Sequence, residues 1–216
     1  MQKDLAKETG QGNGSLAQKL WGIHWQDHFP LYLSSKEDFV IPASYNAAAN
    51  FLKANYQEIY EQEKTDHSFI AENYSVAKEI FYRNNGNFFL FIADEQPVGV
   101  FTGTVVDWST YYFRNCSILP KYQGRKYYQQ LLVHLIDILA KHKVERVEGD
   151  IAPSHIGHIH ILNKLAFNIT GFNLSERWGA MLHFTKFLSS EHQNVFLNQF
   201  CHGVKPQQYK HSKIDH

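Results

Sequence analysis

Two cysteines in 216 residues, Cys116 and Cys201, do not make a disulfide framework. No apolar run approaches the roughly 18 residues of a membrane span, so no membrane role is expected. The opening "MQKDLAKETGQGNGS" lacks the apolar core of a signal peptide. There is no excess of either charge: Lys+Arg and Asp+Glu are 21 each. A balanced chain has no global field to recruit nucleic acid or an acidic membrane. No basic stripe is interleaved with aromatics either, which excludes a nucleic-acid module. Internal repeats and low-complexity tracts are also missing. The expectation is a soluble, cytoplasmic protein. Its 13 His make the net charge sensitive to mild acid.

What is present is a chain long enough to bury a sizeable core. Residues 1–15 are polar and Gly-rich, as a mobile end would be. "SLAQKLWGIHWQDHF" (15–29) reads as a short helix with Leu16, Leu20 and Trp21 on one side, ending near Pro30. "DFVIPAS" (38–44) reads as a strand. Helices follow over 45–63 and 73–84, the first with Ala49, Leu52, Tyr56 and Ile59 at helical spacing. "NFFLFIAD" (87–94) is a continuous apolar run, as a strand covered on both faces would be. After a tight turn at "EQ", 97–108 and 110–119 alternate, and the three segments form an antiparallel meander. A helix over 127–142 carries Tyr128, Leu131, Leu132, Leu135 and Leu139 on one stripe. "ERVEGDIA" (145–152) is a strand. Pro153-Ser154 then opens a helix with Ser154 as N-cap and Ile156, Ile159, Leu162 and Leu165 inward. Strands at 168–173 and 179–188 and one tail helix complete the chain.

The loop "LPKYQGRKYYQQLL" (119–132) leaves a strand and opens a helix. The first N–H groups of a helix lack internal partners and the dipole favours an anion there. This loop, the element order and "ILNKLAFNITGF" (161–172) together resemble the GNAT N-acetyltransferase superfamily over about residues 36–188. The family's loop pattern is Gln or Arg, two residues, Gly, any residue, then Gly or Ala. Here Gln123 fits, Lys126 stands for the first Gly and Tyr128 for the second. Ala166-Phe167 takes the place of the usual Gly-Phe.

The resemblance implies an α/β (α+β) domain with a mixed, mostly antiparallel sheet of about seven strands flanked by helices. Residues 1–35 would be an N-terminal extension and 189–216 a C-terminal helix and polar tail. It also implies a co-substrate, acetyl-CoA or another acyl-CoA, and an amine-bearing acceptor attacked directly. A second copy of the chain stays open as a partner. The diphosphate would lie on Gln123, Gly124, Arg125, Lys126, Tyr127 and Tyr128. Backbone groups near Asn115 to Ile118, with Leu119 following, would hold the pantetheine arm, and the thioester would lie where the strands at 110–119 and 145–152 part. Lys126 would be strained if that position needs φ > 0, and Tyr128 would obstruct a phosphate that approached it closely. The family's acid Tyr falls on Leu162 and its helix-start Asn on His155. Those departures keep a second reading open, a domain that binds acyl-CoA without catalysis. A third makes residues 1–35 an interaction arm.

An acceptor amine with a pKa of about 10.4 is only roughly 0.05% neutral at pH 7, a handicap of about 4.5 kcal/mol. A base offsets much of it. Glu148 and Asp150 alternate on one strand and so share a face, and His155 follows, which makes these three the catalytic candidates. "SHIGHIHILN" (154–163) and "HWQDH" (24–28) put His pairs on helix faces, but neither completes a metal set, so no metal is expected. Cys116 reads as a small core residue. Trp108, Tyr111, Tyr112 and Phe113 read as sheet packing, and Trp178 as a wall of the acceptor site.

Overall fold

The computed structural model describes residues 15–34, 37–60, 76–175 and 179–200. Within them lies one eight-stranded sheet in the order β1-β2-β3-β4-β5-β6-β8-β7. The strands are β1 (Leu31–Tyr32), β2 (Phe39–Ala43), β3 (Gly86–Ala93), β4 (Gln96–Val105), β5 (Thr110–Ile118), β6 (Arg146–Ile151), β7 (Asn168–Ser175) and β8 (Gly179–Phe187). The helices are α1 (Leu16–Trp21), α2 (Tyr45–Tyr60), α3 (Val76–Asn85), α4 (Tyr127–Lys141), α5 (Ile156–Lys164) and α6 (Ser190–Phe200). All pairings are antiparallel except β5 with β6. The mixed, mostly antiparallel sheet flanked by helices is the expected class. It has one strand more than the expected seven, because Leu31-Tyr32 adds a short edge.

The apolar run of β3 is continuous because the strand serves two cores. Phe89, Phe91 and Ala93 join the main core under α4, while Phe88, Leu90 and Ile92 join a second one with Ala48 and Phe51 of α2. β4 does not alternate between wet and dry faces as expected. It is buried on both sides from Val98 to Val105 for the same reason. The hairpin between β3 and β4 turns on Asp94 and Glu95, both with φ > 0, the conformation of a two-residue type I′ turn. Leu131, Leu132, Leu135 and Leu139 of α4 are wholly buried, each stabilising by about 1.5–3 kcal/mol.

Three local readings change. The first helix stops at Gly22 (φ 66), not near Pro30, and a separate 3-10 turn holds Trp25–His28; Leu20 is exposed. Residues 15–34, read as part of an extension, supply Ala17, Ile23, Trp25 and Leu33 to the main core. Pro153-Ser154 forms a turn closed by His155 N–H to Ala152 O (2.9 Å), so α5 starts at Ile156 with His155 as N-cap. Ser154 therefore caps nothing there, and Ile156 is 75% exposed while Ile159, Leu162 and Leu165 pack inward.

Candidate active site

β5 and β6 pair over only three positions, Thr110 with Arg146, Tyr111 with Val147 and Tyr112 with Glu148. Two residues later Arg114 bulges out of β5: Thr102 faces Asn115 while Gly103 faces Phe113. A bulge bends its strand, and from here β5 has no partner on the β6 side. The sheet thus opens as a wedge. The helices α4 and α5, which follow the two diverging strands, cover one face of it.

The loop into α4 stands at the open end. Gln123 Nε2 donates to Ile118 O (2.9 Å), and Leu119 N–H is spent on Val98 O. Gly124 (φ 76) and Lys126 (φ 63) are both left-handed. Position 126 thus needs the conformation that Lys adopts at a cost. The first helical N–H to find a carbonyl four residues back is Gln130, on Lys126 O; those of Tyr127, Tyr128 and Gln129 precede it and have no such partner. Gly124, Arg125 and Lys126 are exposed. Tyr127 turns away from the loop, buried, its hydroxyl donating to Asp38 in a very short hydrogen bond and accepting from Arg125 Nη1 (3.3 Å).

Tyr128 also leaves the loop, but inward. Its ring packs beside Phe101, at 6.4 Å, and edge-on to His158, at 4.6 Å between centroids. Its hydroxyl lies 2.5 Å from His158 Nε2, so the first turn of α4 is tied to α5. Burial holds the Tyr128 hydroxyl well above its usual range, and burial, then the charge of His155, pushes His158 down to about 4. His158 is neutral in the fold where an unfolded His is charged below about 6.5. The unfolded chain therefore holds the extra proton between these values, and stability falls as pH drops from about 6.5 to 4. That loss reaches about 3 kcal/mol. In urea denaturation at pH 7 and pH 4.5, His158→Gln is expected to lose less stability on acidification than the parent protein.

On the opposite face, Glu148 and Asp150 share one side of β6 as expected, while Val147 and Ile151 face the main core. The strand order brings β8 alongside, with Asp150 facing His183 and Glu148 facing Thr185. Asp150 Oδ1 meets His183 Nδ1 at 2.7 Å, and its Oδ2 accepts from the Tyr112 hydroxyl at 2.8 Å. Asn173 Nδ2, from β7, donates to both oxygens (3.0 and 3.1 Å). Glu148 Oε2 stands 3.6 Å from His183 Nε2, and Glu148 Oε1 pairs with Arg146 Nε at 3.1 Å. Burial, then the hydrogen bond to Asp150, holds the Tyr112 hydroxyl protonated far above its ordinary range. Tyr112 spans the wedge from β5 to β6 in doing so.

Of the three catalytic candidates, Glu148 and Asp150 meet at this cluster. His155 stands at the α5 N-cap, where its charge acts on His158. The imidazole beside Asp150 is instead His183, which the sequence reading did not single out. Leu162 is buried in the core. Cys116 is packed against the main core, and burial pushes its thiol up. Trp178 lies outside the described residues, as does Cys201. Among the described residues, no three His, Cys, Asp or Glu gather as a metal set, and no helix is long and apolar enough to cross a membrane.

A family model described as the acetyltransferase (GNAT) family matches residues 47–167, more than half of the chain. No curated protein matches. Solved structures share the fold. A probable acetyltransferase from Staphylococcus epidermidis aligns with TM-score 0.56 and 13% identity, over 70% of this chain and 99% of that one. A GNAT family acetyltransferase from Elizabethkingia anophelis with acetyl-CoA bound gives 0.53 and 15%, over 71% and 99%. The acetyltransferase of GNAT family from Streptococcus pneumoniae gives 0.55 and 15%, over 71% and 100%.

Proposed function

The chain belongs to the acetyltransferase (GNAT) family, and on that premise we propose that it moves an acetyl or other short acyl group from coenzyme A to an amine. The observation that carries the proposal is the wedge between β5 and β6, with a helix start whose first N–H groups lack helical partners on one face and a carboxylate–imidazole cluster on the other. The diphosphate end fits well: the N–H groups of Tyr127 and Tyr128 precede the first helical hydrogen bond, and Arg125 and Lys126 stand exposed beside them to add charge-assisted contacts. The fit is tight at the pantetheine arm, because Tyr128 bridges α4 to α5 over Phe101 and His158. When bound, the coenzyme supplies the activated acyl carbon. The chain supplies orientation along Asn115 to Ile118 and, around Glu148 and Asp150, a path for the proton that the acceptor ammonium must lose before its free amine attacks.

Acetyl-CoA is expected to raise the melting temperature, since a ligand that binds only the folded state stabilises it by mass action. Free-thiol release with a panel of primary amines then separates transfer from binding alone. Asp150→Asn should slow that release at least tenfold and leave acetyl-CoA affinity unchanged. No melting shift with CoA, acetyl-CoA or longer acyl-CoA ends the reading.

A further inference from the structure

We infer that His183 is the catalytic residue that takes the proton from the acceptor amine, and that Asp150 is a positioning residue which fixes its tautomer. The inference rests on the transferase reading above.

The argument begins with Asp150, whose oxygens are occupied. Four contacts from three side chains reach them, at 2.7 to 3.1 Å: His183 Nδ1, the Tyr112 hydroxyl, and Asn173 Nδ2 to each oxygen. A carboxylate so engaged has little capacity left to accept a substrate proton. What it does is hold an imidazole. A hydrogen bond from Nδ1 to a carboxylate assigns the ring proton to Nδ1, and the basic lone pair is then on Nε2. That nitrogen lies 3.6 Å from Glu148 Oε2, beyond a hydrogen bond. Among the described residues Nε2 therefore has no hydrogen-bond partner while the ring is neutral, and it has a carboxylate neighbour as soon as the ring is charged.

The charges around it are placed for that change. Glu148 and Asp150 come from β6 and Tyr112 from β5; Arg146 draws on Glu148 at 3.1 Å, and Arg114 lies 5.9 Å over the Tyr112 ring. His183 is half-buried, with 22% of its side chain exposed, so a substrate can reach it. Tyr112, the last residue of β5 that pairs with β6, joins the cluster to the wedge. A cationic primary amine suits the site: Glu148 and Asp150 attract its charge and His183 Nε2 removes its proton. The nitrogen lone pair then forms the C–N bond. The electrons of the broken C–S bond leave on sulfur as a thiolate, which takes the second proton of that nitrogen to give the neutral amide and the coenzyme thiol, and His183 returns the first proton to water.

The test has two arms. The first uses the protein without coenzyme, and reads the His183 ring by nitrogen-15 NMR against pH. The neutral form of the ring is expected to carry its proton on Nδ1, with that preference lost in Asp150→Asn. A neutral ring protonated on Nε2 overturns the inference. The second arm measures acetyl transfer to butylamine, putrescine and a lysyl peptide. His183→Gln should lose about a hundredfold in rate at pH 7 and recover as pH approaches the amine's own pKa. Its acetyl-CoA affinity and melting temperature should match the parent's. Equal rates for His183→Gln and parent across the pH range overturn the inference and leave the transferase reading standing. If the parent itself transfers to no amine, the transferase reading falls and takes this role with it.

Discussion

Replacing Tyr128 by alanine is expected to tighten acetyl-CoA binding about tenfold. On the proposed reading, coenzyme laid from the loop amides toward the wedge would pass between α4 and α5, where the Tyr128 hydroxyl meets His158 Nε2 at 2.5 Å and the rings stand edge-on. Opening that bridge forfeits a hydrogen bond worth about 0.5–1.5 kcal/mol and an aromatic pair of about the same value. Apparent affinity is reduced by the fraction of molecules already open, and every 1.4 kcal/mol or so is tenfold. Tyr128→Phe removes only the hydrogen bond and should recover roughly threefold. Titration calorimetry well below the melting temperature reads both. Unchanged or weaker binding by Tyr128→Ala would mean that the ring is a wall the coenzyme rests on, not a bar across its path.

Tyr128 also marks how far the sequence could be read. The loop, the helix after it and the strand order around it follow from local signals: an apolar run for β3, a leucine stripe for α4, alternation of Glu148 and Asp150 on β6. Spacing puts Tyr128 on the inward stripe of α4, but whether its ring stays under the loop or reaches α5 does not follow from spacing. Packing on Phe101 and His158 decides that, and both are distant in sequence. His183 was hidden for a related reason. "GAMLHFTKFL" reads as one more closing strand, and its His stands beside Asp150 only because β8 inserts between β6 and β7. Sequential strands tend to be neighbours, so the order 6-8-7 is the less expected one, and without it no spacing links residues 33 apart. The Arg114 bulge that opens the wedge carries no glycine or proline to announce it. The α5 start was misplaced because Ser154 after Pro153 imitates an N-cap while its backbone is spent on a turn.

The wedge depends on a hinge of paired strands at its closed end, and Tyr111 is the residue that holds it. Its ring is wholly buried, with Trp21, Trp25 and Phe113 at 6.0 to 6.2 Å between centroids. Its hydroxyl donates to Asn87 Oδ1 at 3.3 Å, which also accepts from Trp25 Nε1 at 2.9 Å. The N-terminal segment, β3 and the middle β5–β6 pair thus converge on one phenol. Tyr111→Ala is expected to cost about 3–5 kcal/mol, the range of large aromatic truncations, lowering the melting temperature by about 10 °C. Tyr111→Phe should cost only about 1 kcal/mol, for the hydrogen bond. The ring occupies the space beside Gly103, where an added Cβ would lie 2.2 Å from the Tyr111 oxygen and 2.5 Å from two ring carbons. Gly103→Ala therefore overfills the same site, at about 1–3 kcal/mol. Gly103→Ala combined with Tyr111→Ala should cost less than the two changes added separately, since the methyl then enters vacated space and coupling of contacting residues is non-additive. Thermal melts of the four variants and the parent measure this. Strict additivity would place the ring away from Gly103 in solution and remove Tyr111 as the pin of the wedge.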